Sequence, residues 1–419
     1  MDFLKNDRLV EYLRRRATLP QTFRSLRHRD YRLFWFGQMV SLVGTWVQDI
    51  AQNWLIYRLT GSPAMLGWVN FVALVPAIPV TLWAGSLADR LNKRHLVMWS
   101  QVAMLAQAAT LAVLAGTGVV QVWHVMALAF LFGVARAVDL PARQAFVVEM
   151  VGKEDLTNAI ALNSTIFNAA RIIGPTVAGL LVMAVGEGWA FGINALSFIP
   201  VVAALAIMRV ASVRGEATGA AHKHIYEGIR YAGGNAVIWV TVAVVGVSAF
   251  FLTPYTVLMP VYAKTVLHGN ADTYGYLMGS VGVGALVGAL VVASLKPSTP
   301  RGKVLTFANL AFPALVIAFA FVRTFWLAVP VLAVTGFFIV VQNSLANTIL
   351  QLEVPDKLRG RVMSIYFLVF MGAMRLGALQ AGYIARYASV KLALVIGGVV
   401  ALVFGAVVAW RMPALRRVK

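Results

Sequence analysis

Gly85-Ser-Leu-Ala-Asp89-Arg90-Leu-Asn-Lys93-Arg94 separates two long apolar runs, residues 64–87 and 95–116. A glycine at the end of the first run lets helices approach closely and the chain leave an apolar layer in a tight turn. Asp89 then stands near the start of the next helix, where a carboxylate complements the positive helix end. Arg90, Lys93 and Arg94 form a basic face of the kind that stays on the cytoplasmic side of a membrane. An ordinary positively charged loop would account for the three cations. It would not account for Gly85 and Asp89 together.

The surrounding chain sets that turn in a membrane. Of 419 residues, 60% are apolar and 12% charged, against roughly half and a quarter in soluble domains. The mean hydropathy of +0.78 makes lipid the solvent for most of the surface. Apolar segments fall at 33–58, 64–87, 95–116, 122–143, 158–185, 189–210, 238–263, 272–295, 302–322, 325–347, 362–386 and 390–411. Each is long enough to span, since about 20 apolar residues suffice. The expectation is an all-α membrane protein of 12 transmembrane helices in two six-helix bundles. Its parts are a basic N-terminal segment (1–32), a first bundle (33–210), a cytosolic linker with a short amphipathic helix (211–235), a second bundle (236–411) and a basic tail (412–419).

Charge orients the chain. With the N-terminus inside, 28 of the 36 Lys and Arg collect on the cytosolic face and only five outside, so both termini are expected to be cytoplasmic. The net charge of +20 is thereby explained without nucleic acid. No cysteine is present, which excludes disulfides and thiolate chemistry. The basic, amphipathic start reads as an interfacial segment, not a cleaved signal. The halves echo one another: Leu66-Gly67 and Tyr274-Gly275 open segments two and eight, and Val151-Gly-Lys-Glu-Asp-Leu156 parallels Val354-Pro-Asp-Lys-Leu358. A parallel repeat with a site at its interface is the architecture of a rocking transporter.

The 85–94 turn resembles the G-x-L-a-D-R-x-x-R/K-R signature of the major facilitator superfamily, in its usual place. Phe23-Arg-Ser-Leu-Arg-His-Arg-Asp-Tyr-Arg-Leu-Phe-Trp35, Trp54-Leu-Ile-Tyr-Arg-Leu-Thr-Gly-Ser62 and Ala170-Arg-Ile-Ile-Gly-Pro175 resemble the drug:proton antiporter branch that holds enterobactin-type siderophore exporters and macrolide-efflux proteins. The resemblance implies the major facilitator fold and a cytoplasmic gate of Gly85, Asp89, Arg90, Lys93, Arg94 and Arg143. The second copy has Pro297 about where the acid would stand, which implies one-sided gating. Gly174, Pro175 and Gly179 are similar to the Gly-Pro antiporter signature, although Asn168 to Arg171 replace its upstream glycines.

Charges inside spans are costly and so mark function. Segment one carries Gln38, Ser41, Thr45, Gln48, Asp49 and Gln52 as one polar stripe, expected to face a wet cavity. Asp49 and Asp139 are the candidates for taking up and releasing a proton. Arg136, Asp139 and Arg143 share a helix face at i, i+3 and i+7, and Arg136, Arg171 and Arg375 are the central charge partners. Asn168, Tyr255, Gln342, Asn343 and Asn347 complete the candidate cavity with Gln38, Thr45, Gln48 and Gln52. Three arginines against two acids favour an anionic or zwitterionic amphipathic substrate. No phosphate-binding loop, no cofactor site and no metal-ligand pairing beyond the loop pair His222 and His224, which reads as solvated, is present in the sequence, and no enzymatic constellation shares a depth.

These readings together predict a proton-coupled exporter of an organic small molecule, monomeric, in contact with membrane lipids and seated in a bacterial inner membrane. The same charges would suit a lysophospholipid mover of the same fold. A non-transporting receptor or membrane enzyme is the remote alternative.

Overall fold

A computed structural model of the chain describes residues 21–77, 79–80, 91–208, 210, 230–296 and 298–418, without the side chains of 21, 22, 153, 157, 168, 171, 172, 175, 176, 356 and 357. Gly85, Asp89, Arg90 and Pro297 therefore lie outside the described residues, as do residues 1–20 and 211–229 of the basic segment and the linker.

The chain is helical throughout the described residues. After a 3-10 turn at Gln21–Arg27 come α1 (Arg29–Thr60), α2 (Pro63–Leu74), α3 (Lys93–Gly116), α4 (Val122–Ser197) and α5 (Ile199–Ile207). The second half holds α6 (Ala236–Val247), α7 (Tyr255–Thr265), α8 (Ala271–Ala293), α9 (Arg301–Phe319), α10 (Phe325–Glu353), α11 (Asp356–Tyr387), α12 (Val390–Arg411) and α13 (Pro413–Arg417). Among the described residues, nine stretches are long and apolar enough to cross a membrane. α1 falls short of that mark despite its 32 residues, because its polar stripe dilutes the apolar run.

Two glycines divide α4. Gly152 (φ 71°) and Gly186 (φ 75°) adopt left-handed backbone, open to glycine at no steric cost, so the run has three legs. The first break directly precedes the Lys-Glu-Asp turn that the sequence repeats after segment ten. The 238–263 segment departs from a plain helix. Between α6 and α7 the chain makes a π-turn at Ser248–Leu252 and reaches Pro254, a proline that cannot donate the next ladder bond. α10 runs on to Glu353, past the apolar limit at 347.

α1 packs on α4 and α3 on α4 in the first half, while α8 packs on α10 and α9 on α10 and α12 in the second. Among the described residues the halves meet mainly along two seams, α4 with α8 and α2 with α11, with α7 also touching α1 and α2. Their apolar cores are unevenly shared. At the end holding Tyr57, Leu66, Tyr262 and Ala385, one cluster joins residues of both halves. At the other end are two separate clusters, Tyr31, Phe146 and Leu205 in the first half and Leu305, Leu350 and Val362 in the second.

Candidate functional site

α1 divides its polar stripe between a sealed and an open edge. Gln38, Ser41 and Gln48 are buried, while Thr45, Asp49 and Gln52 are partly exposed. Gln48 is turned into its own bundle: its amide donates to Gln107 Oε1 (3.0 Å) and accepts from Asn194 Nδ2 (2.7 Å). Thr45 donates to the Ser41 carbonyl at 2.9 Å, the back-bond of a helical threonine. Asp49 makes no hydrogen bond or ion pair with any described residue. Of the opposite charges acting on Arg136, Asp49 is the strongest, ahead of Asp139; of the like charges it is Arg375, ahead of Arg143. Tyr274, across the seam, also feels Asp49. Asp49, Arg136 and Arg375 thus occupy one electrostatic neighbourhood contributed by α1, α4 and α11.

The second central acid sits differently. Asp139 is 3% exposed and accepts from Ser100 Oγ (3.1 Å) and Gln101 Nε2 (2.8 Å) of α3. Arg143 Nε lies 3.5 Å from its other oxygen. Asp139 is therefore enclosed between α3 and α4. The two other described cations of the gate pattern, Lys93 and Arg94, make contacts of their own. Lys93 pairs with Glu149 at 2.7 Å, and Arg94 donates to the carbonyls of Leu205 (2.6 Å) and Ala206 (2.7 Å), where the negative end of α5 favours a cation.

In the second half, Gln342 donates to Ser248 Oγ (2.7 Å) and Asn309 Oδ1 (2.9 Å). Asn343 donates to the Ile339 carbonyl at 2.9 Å, and Asn347 accepts from Gln351. Tyr255 is buried edge-on to Phe312, its hydroxyl unpartnered among the described residues. Arg375 donates across the α2–α11 seam to Asn70 Oδ1. Asn70 itself donates to Asn53 Oδ1 (3.2 Å). The side chains of Asn168, Arg171 and Pro175 lie outside the described residues.

The seams are made by small residues. A Cβ on Gly179 would stand 2.4 Å from the Gly275 carbonyl oxygen, and one on Gly67 would stand 2.7 Å from that of Ala378. The two glycines matched by the internal repeat, Gly67 and Gly275, thus occupy the two inter-half crossings. Gly174 packs instead within its own half, on Trp46. Near these crossings Tyr274 stacks on Trp54 (5.6 Å, 15°) and donates to the Ile50 carbonyl (3.2 Å), and Trp68 donates to Tyr383 Oη (3.0 Å). Sequence reasoning passed over Asn53, Asn70, Gln107, Asn194, Glu149 and Tyr383. The available signal was a lone amide in an apolar run, as in Val69-Asn70-Phe71.

Two helical halves, glycine-lined seams and charges buried between them define a multi-pass membrane transporter of the major facilitator type. Residues 20–418 match the family described as transmembrane secretion effectors, and the chain belongs to that family. It is 27% identical to the staphyloferrin A transporter of Staphylococcus aureus over 265 residues, 62% of this chain and 66% of that protein. It is 27% identical to the multidrug efflux pump Tap of Mycobacterium tuberculosis over 414 residues, 92% and 93% of the two chains. Macrolide efflux protein A of Streptococcus pyogenes is 21% identical over 356 residues, 84% and 88%. The fold is that of an inward-facing bacterial Spinster homologue (TM-score 0.63, 14% identity, covering 93% of this chain and 96% of that one). It is also that of the nucleoside transporter NupG (0.65, 13%, 93% and 100%).

Proposed function

We propose that the protein is a proton-coupled exporter that moves an organic, amphipathic small molecule out of a bacterial cell by alternating access. In this reading twelve spans cross the inner membrane, the nine apolar stretches being joined by α1, the segment containing α2 and the middle leg of α4. Both termini are cytoplasmic. The observation that carries the proposal is the uneven core. The halves share one apolar cluster at the end away from the termini and have separate clusters at the other, with an unpaired carboxyl, Asp49, between them. Two rigid bundles closed at one end and parted at the other represent one of the two states that a rocking carrier needs. With the termini inside, this one opens to the cytosol. The efflux relatives favour export, and the siderophore and macrolide named in two of them favour an organic cargo.

Asp49 is the coupling group in this mechanism. Ionised, it attracts Arg136 within the first half; protonated, it releases that attraction, and the guanidinium is free to act on cargo or on Arg375. Proton uptake at Asp49 and cargo binding by Arg136 are thereby linked through one electrostatic balance. Asp139, with its three partners, serves as the fixed acid of the α3–α4 contact. Asp49→Asn should abolish proton-driven uptake of an amphipathic fluorescent dye into everted vesicles while cargo-for-cargo exchange persists. Wild-type proton-driven uptake in the variant would remove Asp49 from the mechanism.

A further inference from the structure

The charge count at the centre does not close. Asp139 already has Arg143, Ser100 and Gln101 as partners, which leaves Asp49 as the unpaired described acid acting on Arg136. Gly133, one turn before Arg136, packs on the Ala73 carbonyl of α2, one turn from the Asn70 that Arg375 holds. Arg136 has five N–H donors, yet forms no hydrogen bond or ion pair with any described residue. Arg375 donates to a neutral amide, Asn70, and has no carboxylate within ion-pair distance among the described residues. Both side chains are partly accessible. A guanidinium at bilayer depth ordinarily finds a counter-charge, and an unsatisfied one is costly. Each half of the chain contributes one of the pair.

We infer that Arg136 and Arg375 are a carboxylate-binding pair for an anionic cargo, held between the halves; this rests on the carrier reading above and gives its cargo a charge. A carboxylate has two acceptor oxygens and suits the fork of an arginine. In its absence Arg375 rests on Asn70, whose carbonyl oxygen offers the same kind of acceptor without the charge. Binding the anion exchanges that amide for a carboxylate and ties α4 of one half to α11 of the other. Cargo arrival thereby changes a contact across a seam that must move.

The test uses the full-length protein in nanodiscs and two fluorescent probes of equal size, dansyl-phenylalanine and its neutral amide. The acid should bind saturably and at least tenfold more tightly than the amide. Arg136→Gln and Arg375→Gln should each weaken the acid at least tenfold and leave the amide within about twofold, while Arg136→Lys retains part of the preference. Arg323→Gln, which removes an exposed cation, should change neither affinity. Retained amide binding shows that a variant is folded. Equal affinity of the two probes, no saturable binding of the acid, or an acid preference that survives both glutamine variants would overturn the inference. Uptake of ethidium into everted vesicles separates the two readings. Gradient-driven ethidium movement without acid preference leaves the exporter standing and the anion site refuted. Arginine-dependent acid binding without gradient-driven movement of either dye or acid does the reverse.

Discussion

Asp155 gathers three basic residues from the segment before α1. Arg24 Nε lies 2.8 Å from one carboxylate oxygen, and Arg27 Nη2 (2.8 Å) and His28 Nε2 (2.7 Å) reach the other. Its side chain is 1% exposed, and Ser25 adds a bond to its carbonyl at 3.0 Å. The His28 hydrogen bond, followed by the charges of Arg24 and Arg27, outweighs burial and holds the Asp155 carboxyl below the usual carboxylate range. A depressed folded value means the clamp contributes stability above the unfolded carboxylate value of about 3.9. That contribution fades as pH falls through the lower folded value. Amide hydrogen exchange, corrected for intrinsic rates, should therefore show residues 21–28 protected at pH 7 and at pH 5, with protection falling only below about pH 4. Asp155→Asn should lose that protection at pH 7. An unaltered exchange profile in the variant would show that other contacts hold the segment.

Helices in each half are tied laterally by a buried amide knot. In the first, Gln48 of α1 joins Gln107 of α3 and Asn194 of α4, with Ser197 on Asn194 at 3.2 Å. In the second, Gln342 of α10 joins Ser248 in the π-turn and Asn309 of α9. Lipid offers no hydrophobic drive between helices, so side-chain hydrogen bonds and close packing associate them. Truncating one partner strands a buried polar group. Gln107→Leu leaves the Gln48 amide donor without its acceptor, at about 1–3 kcal/mol. The expected result is a thermal midpoint lowered by several degrees in detergent with probe affinities unchanged. A midpoint equal to wild type would mean the knot adds nothing to stability.

The state of the whole molecule is decided where α2 meets α11. A Cβ at Gly382 would stand 3.2 Å from Ala64 Cα, and Trp68 bonds Tyr383 close by. The chain has no cysteine, so a pair introduced as Ala64→Cys and Gly382→Cys is unambiguous. The same Cβ would stand 2.7 Å from the Pro63 carbonyl oxygen, so the two backbones part by a few tenths of an ångström to admit the introduced thiol. If this contact must open during transport, oxidation should abolish dye uptake and a reductant should restore it. An oxidised protein that transports at the reduced rate would show that the α2–α11 contact stays closed throughout the cycle.

Hydropathy and periodicity are local properties, and they sufficed to place this chain in a membrane, to position its helices and to mark the residues of α1 that carry polarity. The glycine pairs of the internal repeat were legible too, since only close backbone approach explains them. What periodicity cannot supply is the neighbour. Gln48 and Asp49 are adjacent on one stripe, yet one is sealed against α3 and α4 and the other is unpaired. Asp139 and Arg136 share a helix face, yet only the acid is enclosed. Arg375 meets Asn70, 305 residues away along the chain. Composition by itself decided that these groups lie at membrane depth. The packing of two bundles decided which of them keep a partner, because pairing depends on residues brought together from distant parts of the sequence.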